Sequence, residues 1–146
     1  MQKVDDVIRL ARKEDKSRIL KLYNSSSNLW YRKSKQSKYT EKEISEYISD
    51  KKGLMFTFER KNIIIGVLYA EFHSDYVYLN TIVIDKKYQG QGLGHILMNK
   101  LSEEAIKKKK ISIEAITEIK DKPMQKIFND LNYKKGNTFI GFVKTL

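Results

Sequence analysis

The sequence predicts one mixed α/β domain spanning residues 1–146, and three observations carry that reading. Two β-rich runs, LMFTFER and IIIGVLYAEF, flank the two-residue link Lys61-Asn62, the pattern of an antiparallel hairpin. A third β-rich run, YVYLNTIVID, leads through the glycine-rich stretch YQGQGLGHIL into an apolar stripe of helical spacing. Elsewhere strand-like and helix-like segments alternate with neither an internal repeat nor a linker. A length of 146 residues with 40% apolar content suits a single core.

In chain order, VIRLA (Val7 to Ala11) reads as a first strand, and KEDKSRILKLYN places Ile19, Leu20 and Tyr23 on one helical face. Residues 25–40, SSSNLWYRKSKQSKYT, have no clean period and read as a loop with a short helical turn at Leu29 to Arg32. Thr40 with Glu43 forms a capping box opening a second helix with Ile44, Tyr47 and Ile48 inward. After the hairpin and a turn at Ser74-Asp75, apolar Val77 and Leu79 are followed by Ile82 and Ile84 on the opposite parity. Such a phase slip is what a β-bulge near Asn80 and Thr81 produces. Leu93, Ile96, Leu97, Leu101 and Ala105 mark a long helix ending in Lys107 to Lys110, whose charge complements the macrodipole. ISIEAI is a further strand, Asp121 and Pro123 open a last helix with Met124, Ile127, Phe128 and Leu131 inward, and YKK and FIGFVKTL are expected to close the sheet.

Composition excludes whole classes of chemistry. With no cysteine there are no disulfides and no thiolate nucleophile; with two histidines, His73 and His95, a histidine-based metal site is not expected. The opening MQKVDDVIRL has no apolar run of signal-peptide length, and no stretch reaches membrane-spanning length, so a cytoplasmic, membrane-free protein is expected. The net charge of +11 suits an anionic ligand. Only five of the 29 basic residues are arginine, the usual carrier of base readout, so nucleic acid is not the expected partner.

The spacing of Gly90, Gly92 and Gly94 separates the known phosphate motifs. A dinucleotide fingerprint would need glycine where His95 stands, and a P-loop would need Lys-Ser or Lys-Thr where His95-Ile96 stand. What remains is a strand, a glycine turn and a helix N-terminus, an arrangement that holds a phosphate or diphosphate through backbone N–H groups.

The run L-x-x-I-V-I-D-x-x-Y-Q-G-Q-G-L-G-x-x-L-M, Leu79 to Met98, resembles the acetyl-CoA signature of the GNAT family of N-acetyltransferases, [QR]-x-x-G-x-[GA], which Gln89, Gly92 and Gly94 match. IRLARKEDKSRILKLY resembles the opening strand and helix of that family, and IFNDLNY its late L-Y-x-x-x-G-F segment. The resemblance implies a splayed, mostly antiparallel sheet flanked by about four helices, with acetyl-CoA in the wedge between the strands Val77 to Ile84 and Ile111 to Ile116. It implies that the backbone of Ile82, Val83 and Ile84 bonds the pantetheine and acetyl group, and that Gln89, Gly90, Gln91, Gly92, Leu93, Gly94 and His95 hold the diphosphate.

The implied reaction passes an acetyl group to a primary amine of a small molecule, peptide or protein by direct attack in a ternary complex, in a monomer or homodimer. Phe128 stands where many relatives carry a proton-donating tyrosine, and Asp121 where a cofactor-contacting asparagine is common. A CoA-binding module without catalysis is therefore the alternative. Glu114 in ISIEAI is the candidate base, Glu71 a second, and Trp30, Tyr31, Arg32, Lys33 and Lys35 are expected to border the acceptor site.

Overall fold

The computed structural model describes residues 3–26, 38–144 and 146. The expected turn at residues 29–32, and Trp30, Tyr31, Arg32, Lys33 and Lys35 of that loop, lie outside them. Five strands, β1 (Asp6–Leu10), β2 (Gly53–Arg60), β3 (Ile63–Phe72), β4 (Tyr76–Ile84) and β5 (Ser112–Ala115), form one sheet in chain order. β1 to β4 pair antiparallel, and β5 runs parallel to β4. The described α-helices are α1 (Lys16–Ser25), α2 (Glu41–Ser49), α3 (Leu93–Lys107) and α4 (Lys122–Asp130), with short 3-10 turns at Lys13–Asp15 and Lys86–Tyr88.

Each face of the sheet buries its own core. Ile19, Leu22 and Tyr23 of α1 and Ile44 of α2 pack on Met55, Val67, Tyr69 and Val83. On the opposite face Leu93, Leu97, Met98 and Leu101 of α3 pack on Phe56, Phe58, Leu68, Val77 and Leu79, with α4 joining through Met124, Ile127 and Phe128. The strands therefore read as near-continuous apolar runs, because they are covered on both sides.

Local chemistry explains the boundaries. Thr40 Oγ1 accepts from the Glu43 N–H at 3.3 Å while Glu43 Oε2 accepts from the Thr40 N–H at 2.8 Å, the expected reciprocal cap of α2. Lys61 and Asn62 adopt φ of 51° and 62°, as a two-residue hairpin turn requires. Asp121 caps α4 by accepting from the Met124 N–H at 3.0 Å. The lysine run has a positional role beyond its charge: Lys110 Nζ donates to the carbonyls of His73 and Ser74 at 2.6 and 2.9 Å, tying the end of α3 to the β3–β4 turn.

Two bulges shape the sheet. Between β2 and β3 the register passes from Phe58↔Gly66 to Glu59↔Ile64, leaving Ile65 as the extra residue. Between β3 and β4 it passes from Tyr69↔Thr81 to Ala70↔Leu79, so Asn80 is the extra residue and the expected phase slip lies there.

The closing strands are a correction. Leu131 to Lys144 carry no strand; Tyr133 packs on Phe128 and the core, and the following described residues are exposed. A β-rich segment becomes a strand only when an edge receives its backbone groups, and this one does not lie along β5.

Carboxylates pinned by arginine hold the open end of the sheet. Arg60 Nε and Nη2 donate to Asp6 at 2.7 and 2.8 Å, and Arg9 bridges Asp15 and Glu59 at 2.7 and 2.6 Å. The Arg60 hydrogen bond holds Asp6 below the usual carboxylate range, and the Arg9 hydrogen bond does the same for Asp15. A carboxylate with a lowered folded pKa contributes stability above its unfolded value, about 3.9, and loses it as pH falls toward the folded value. Melting temperature should therefore hold between about pH 8 and 5 and fall below about pH 4. Asp15→Asn should lower the neutral melting temperature and flatten the acid limb; an unchanged acid limb would show that these pairs do not govern acid unfolding.

Candidate functional site

β4 and β5 pair only from Tyr76↔Ser112 to Leu79↔Ala115, and β4 then continues to Ile84 with no neighbour on that side among the described residues. The Asp85 N–H donates to the Ile65 carbonyl across β3 at 2.8 Å, and N–H direction alternates along a strand. Thr81 and Val83 therefore address β3, while Ile82 and Ile84 present their N–H groups to the open side. Side chains follow the same switch: Val77, Leu79, Ile82 and Ile84 lie on the α3 face, whereas Thr81 and Val83 are buried on the α1 face. The bulge at Asn80 makes both changes at once.

The gap is a cavity of about 400 Å³. Its walls are Leu79 to Ile84 of β4, Ile116 to Glu118 after β5, Asp121, Met124 and Phe128 of α4, Ser25 and Ser26 at the end of α1, and Lys86 and Gln89 below. The Tyr23 hydroxyl hydrogen-bonds Thr81 Oγ1, fixing the end of α1 against the residue after the bulge.

Of the residues expected to bind cofactor, Ile82, Val83, Ile84 and Gln89 line this cavity; Gly90 to His95 lie beyond its rim. Gln89 Nε2 donates to the Ile84 carbonyl at 3.0 Å, joining strand and turn. Gly90 and Gly92 adopt φ of 77° and 81°, and Gly92, the N-cap of α3, supplies no capping side chain. The first-turn N–H groups of Leu93, Gly94 and His95 then have no acceptor within the helix. Gly94 also has a packing role: a Cβ there would lie 2.7 Å from Ile127 Cδ1, so the missing side chain admits α4. Leu93 is buried in the core, and His95 Nε2 lies 2.8 Å from Asp130 Oδ2, a second link between α3 and α4.

Charged groups hold the turn from both sides. Arg18 Nη2 donates to Asp85 at 2.8 Å where the turn begins; the Lys87 N–H, then Arg18, hold that carboxyl below the usual range. Arg60, paired through Nε and Nη2 with Asp6, also donates from Nη1 to Gln91 Oε1 at 2.9 Å and lies 5.8 Å from the Tyr88 ring centroid. Gln91 thus faces the sheet end. Neither arginine stood out in the sequence, since each partner lies more than 30 residues away.

Glu114 is exposed on β5, level with Tyr78, and is not part of the cavity wall. Glu118, four residues later and half-buried, is. Glu71 Oε1 accepts from Asn80 Nδ2 at 3.2 Å, and His73 stacks on Tyr76 at the turn. Phe128 lines the cavity with no proton to give; Tyr133 lies behind it, ring centroids 5.1 Å apart, with burial raising its phenol pKa. Among the described residues no three metal-ligating side chains cluster, and no helix is long and apolar enough to cross a membrane.

The family description "Acetyltransferase (GNAT) domain" matches residues 22–138. The chain belongs to the GNAT acetyltransferase family. Solved structures with the same fold include a transcriptional regulator from Bacillus halodurans, with 16% identity over 95% of this chain and 99% of that one and a TM-score of 0.82. The ribosomal-protein-S18-alanine N-acetyltransferase from Escherichia coli shares 16% identity over 87% of this chain and 76% of that one, TM-score 0.74. AAC(6')-Iy, solved with the bisubstrate analogue CoA-S-monomethyl-acetylneamine, shares 14% identity over 97% and 99%, TM-score 0.77. At these identities the likeness is one of fold. In this GNAT chain the open strand, the bulge and Gln89 at the head of the glycine turn border one wedge.

The assignment of Gly94 to packing predicts an energetic coupling. Alanine in a helix gains up to about 1 kcal/mol over glycine, while forcing a methyl into a packed contact costs about 1–3 kcal/mol. Gly94→Ala should give no net gain in the wild type, yet stabilise an Ile127→Val background in which Cδ1 is gone. Urea unfolding of the four proteins measures this; additive effects would contradict the assigned contact.

Proposed function

We propose that this chain transfers an acetyl group from acetyl-CoA to a primary amine by direct attack within a ternary complex. The observation that carries the reading is the stretch of β4 beyond Leu79, unpaired toward β5, ending in a glycine turn at the N-terminus of α3. An extended thioester can lie along that strand as an additional pairing partner. The N–H groups of Ile82 and Ile84 would bond the pantetheine and the thioester oxygen, with Val83 between them; the turn from Gln89 to His95 would hold the diphosphate. A backbone donor aimed at the carbonyl oxygen stabilises the negative charge that builds there when the amine attacks.

In the reaction a C–N bond forms and the C–S bond breaks; the neutral amine gives up one of its two protons to the base, keeps the other on the amide nitrogen, and the thiolate gains one. Glu118 on the cavity wall supplies the base, directly or through one water; Glu114, outside that wall, is the competing candidate. Phe128 supplies no acid, so the thiolate takes its proton from water entering the open cleft. The acceptor is a small-molecule amine or a peptide or protein amine, approaching from the side of Asn80, Ser25 and Ser26.

Acetyl-CoA at 100 times its dissociation constant should raise native stability by about 2.7 kcal/mol, read as a rise in melting temperature. Gly92→Arg should abolish that rise and leave the circular dichroism unchanged; no shift in the wild type at millimolar acetyl-CoA would sink the proposal. Once an accepted amine is found, Glu118→Gln should lower kcat by about 100-fold or more with acetyl-CoA binding retained, while Glu114→Gln stays near wild type. The reverse pattern would return the role to Glu114.

Phe128 in the cavity wall favours one second reading, a module that binds CoA without turning it over. Both readings expect cofactor-induced stabilisation. Release of free thiol from acetyl-CoA across a panel of amines favours catalysis, and binding without release favours the module.

A further inference from the structure

A second cavity, of about 240 Å³, opens where the start of the chain and the β2–β3 hairpin approach the glycine turn, and it shares no residue with the wedge. Arg60 is the most deeply buried of its lining side chains, 7% exposed, with Nε and Nη2 engaged by Asp6 and Nη1 by Gln91. Exposed Lys3 and Lys61 flank the space, Ile63 and Tyr88 give it an apolar wall, and Asp5 adds a carboxylate. Because Asp6 balances Arg60, two ammonium groups face one carboxylate, in a chain of net charge +11. Such a field favours an anion, and lysine meets phosphate as a point charge that needs no fixed fork. The space is smaller than the roughly 300–1,000 Å³ of drug-sized ligand sites, so its occupant is small. Carbon against Ile63 and Tyr88, with a hydroxyl donating to Asp5, completes the match to a phosphorylated sugar or polyol.

We propose that this cavity binds a small phosphomonoester, and that its occupancy strengthens the hold of the glycine turn on the acyl donor. The coupling rests on the proposed placement of the CoA diphosphate at that turn; the binding does not. Tyr88 and Gln91 both line the cavity, and they bracket Gln89 and Gly90. Gly90 is left-handed at φ 77°, and nothing lies within 4 Å of where its Cβ would stand. A ligand that touches Tyr88 on one side and Gln91 on the other adds to the Arg60 clamp and restrains this permissive joint. The donor then has less ordering left to do, which by linkage is positive cooperativity. An anion also offsets the mutual repulsion of Lys3, Lys61 and Arg60, steadying the bond from Arg60 to Gln91.

Amide shifts of the full chain titrated with ribose 5-phosphate, inorganic phosphate and ribose test the proposal. Ribose 5-phosphate should shift Lys61, Ile63, Tyr88 and Gln91 saturably, with a Kd below about 1 mM. Inorganic phosphate should shift the same residues more weakly, and ribose should shift none. The double variant Lys3→Gln, Lys61→Asn should weaken ribose 5-phosphate by about tenfold or more with unchanged circular dichroism, asparagine being suited to the φ of 51° at residue 61. In calorimetry, saturating ribose 5-phosphate should tighten CoA about fivefold, and saturating CoA should tighten ribose 5-phosphate by the same factor, an effect lost in the double variant. No saturable shifts at the cavity, shifts confined to Ile82 and residues 92–95, or undiminished affinity in the double variant would overturn the site. Equal CoA affinity with the cavity filled or empty would overturn the coupling. A chain that bound ribose 5-phosphate at the cavity and no CoA would leave the site standing and sink the reading of the turn as the donor site.

Discussion

One extra residue, Asn80, determines what the rest of the molecule can do. In a two-faced sheet a strand that gains one residue exchanges its two faces and the directions of its N–H groups. β4 makes this change halfway along, where β5 stops pairing with it. The first half is an ordinary central strand; the second is bonded to β3 on one side and, among the described residues, open on the other. Both halves stay buried because each face has its own helical layer to receive the displaced apolar side chains.

The turn after β4 extends the same logic to three glycines of different purpose. Gly90 and Gly92 take left-handed backbone that other residues enter at a cost, whereas Gly94 admits Ile127 of the neighbouring helix. The turn itself is clamped by Arg18 on Asp85 and by the Asp6–Arg60–Gln91 chain. A preformed loop would not have to order itself to take up the proposed anion, and that ordering otherwise costs affinity.

Most of this architecture was legible because its signals are local. The Lys61-Asn62 hairpin, the Thr40–Glu43 cap, the parity change around Asn80 and the strand–glycine–helix order each depend on residues within a few positions of one another. The clamps were not legible, since Arg18 and Arg60 meet partners that only tertiary structure brings near. The packing role of Gly94 depended on Ile127 of α4, more than 30 residues away. Glu114 and Glu118 are separated by which of them borders the cavity, and the chain leaves β5 between them, so periodicity alone could not choose. The segment after Tyr133 has the composition of a strand, but pairing depends on a sheet edge, which composition does not encode, and no described edge receives it.

The central claim is that the unpaired backbone of β4 beyond the bulge, together with the glycine turn, receives the acyl donor. Amide chemical shifts recorded during a titration with CoA test it most directly. The account predicts the largest changes at Ile82, Ile84 and from Gln89 to His95, with Val7 and Leu10 on β1, the opposite edge of the sheet, unmoved. Changes that avoided β4 beyond Leu79, or centred on the hairpin at Lys61-Asn62, would contradict it.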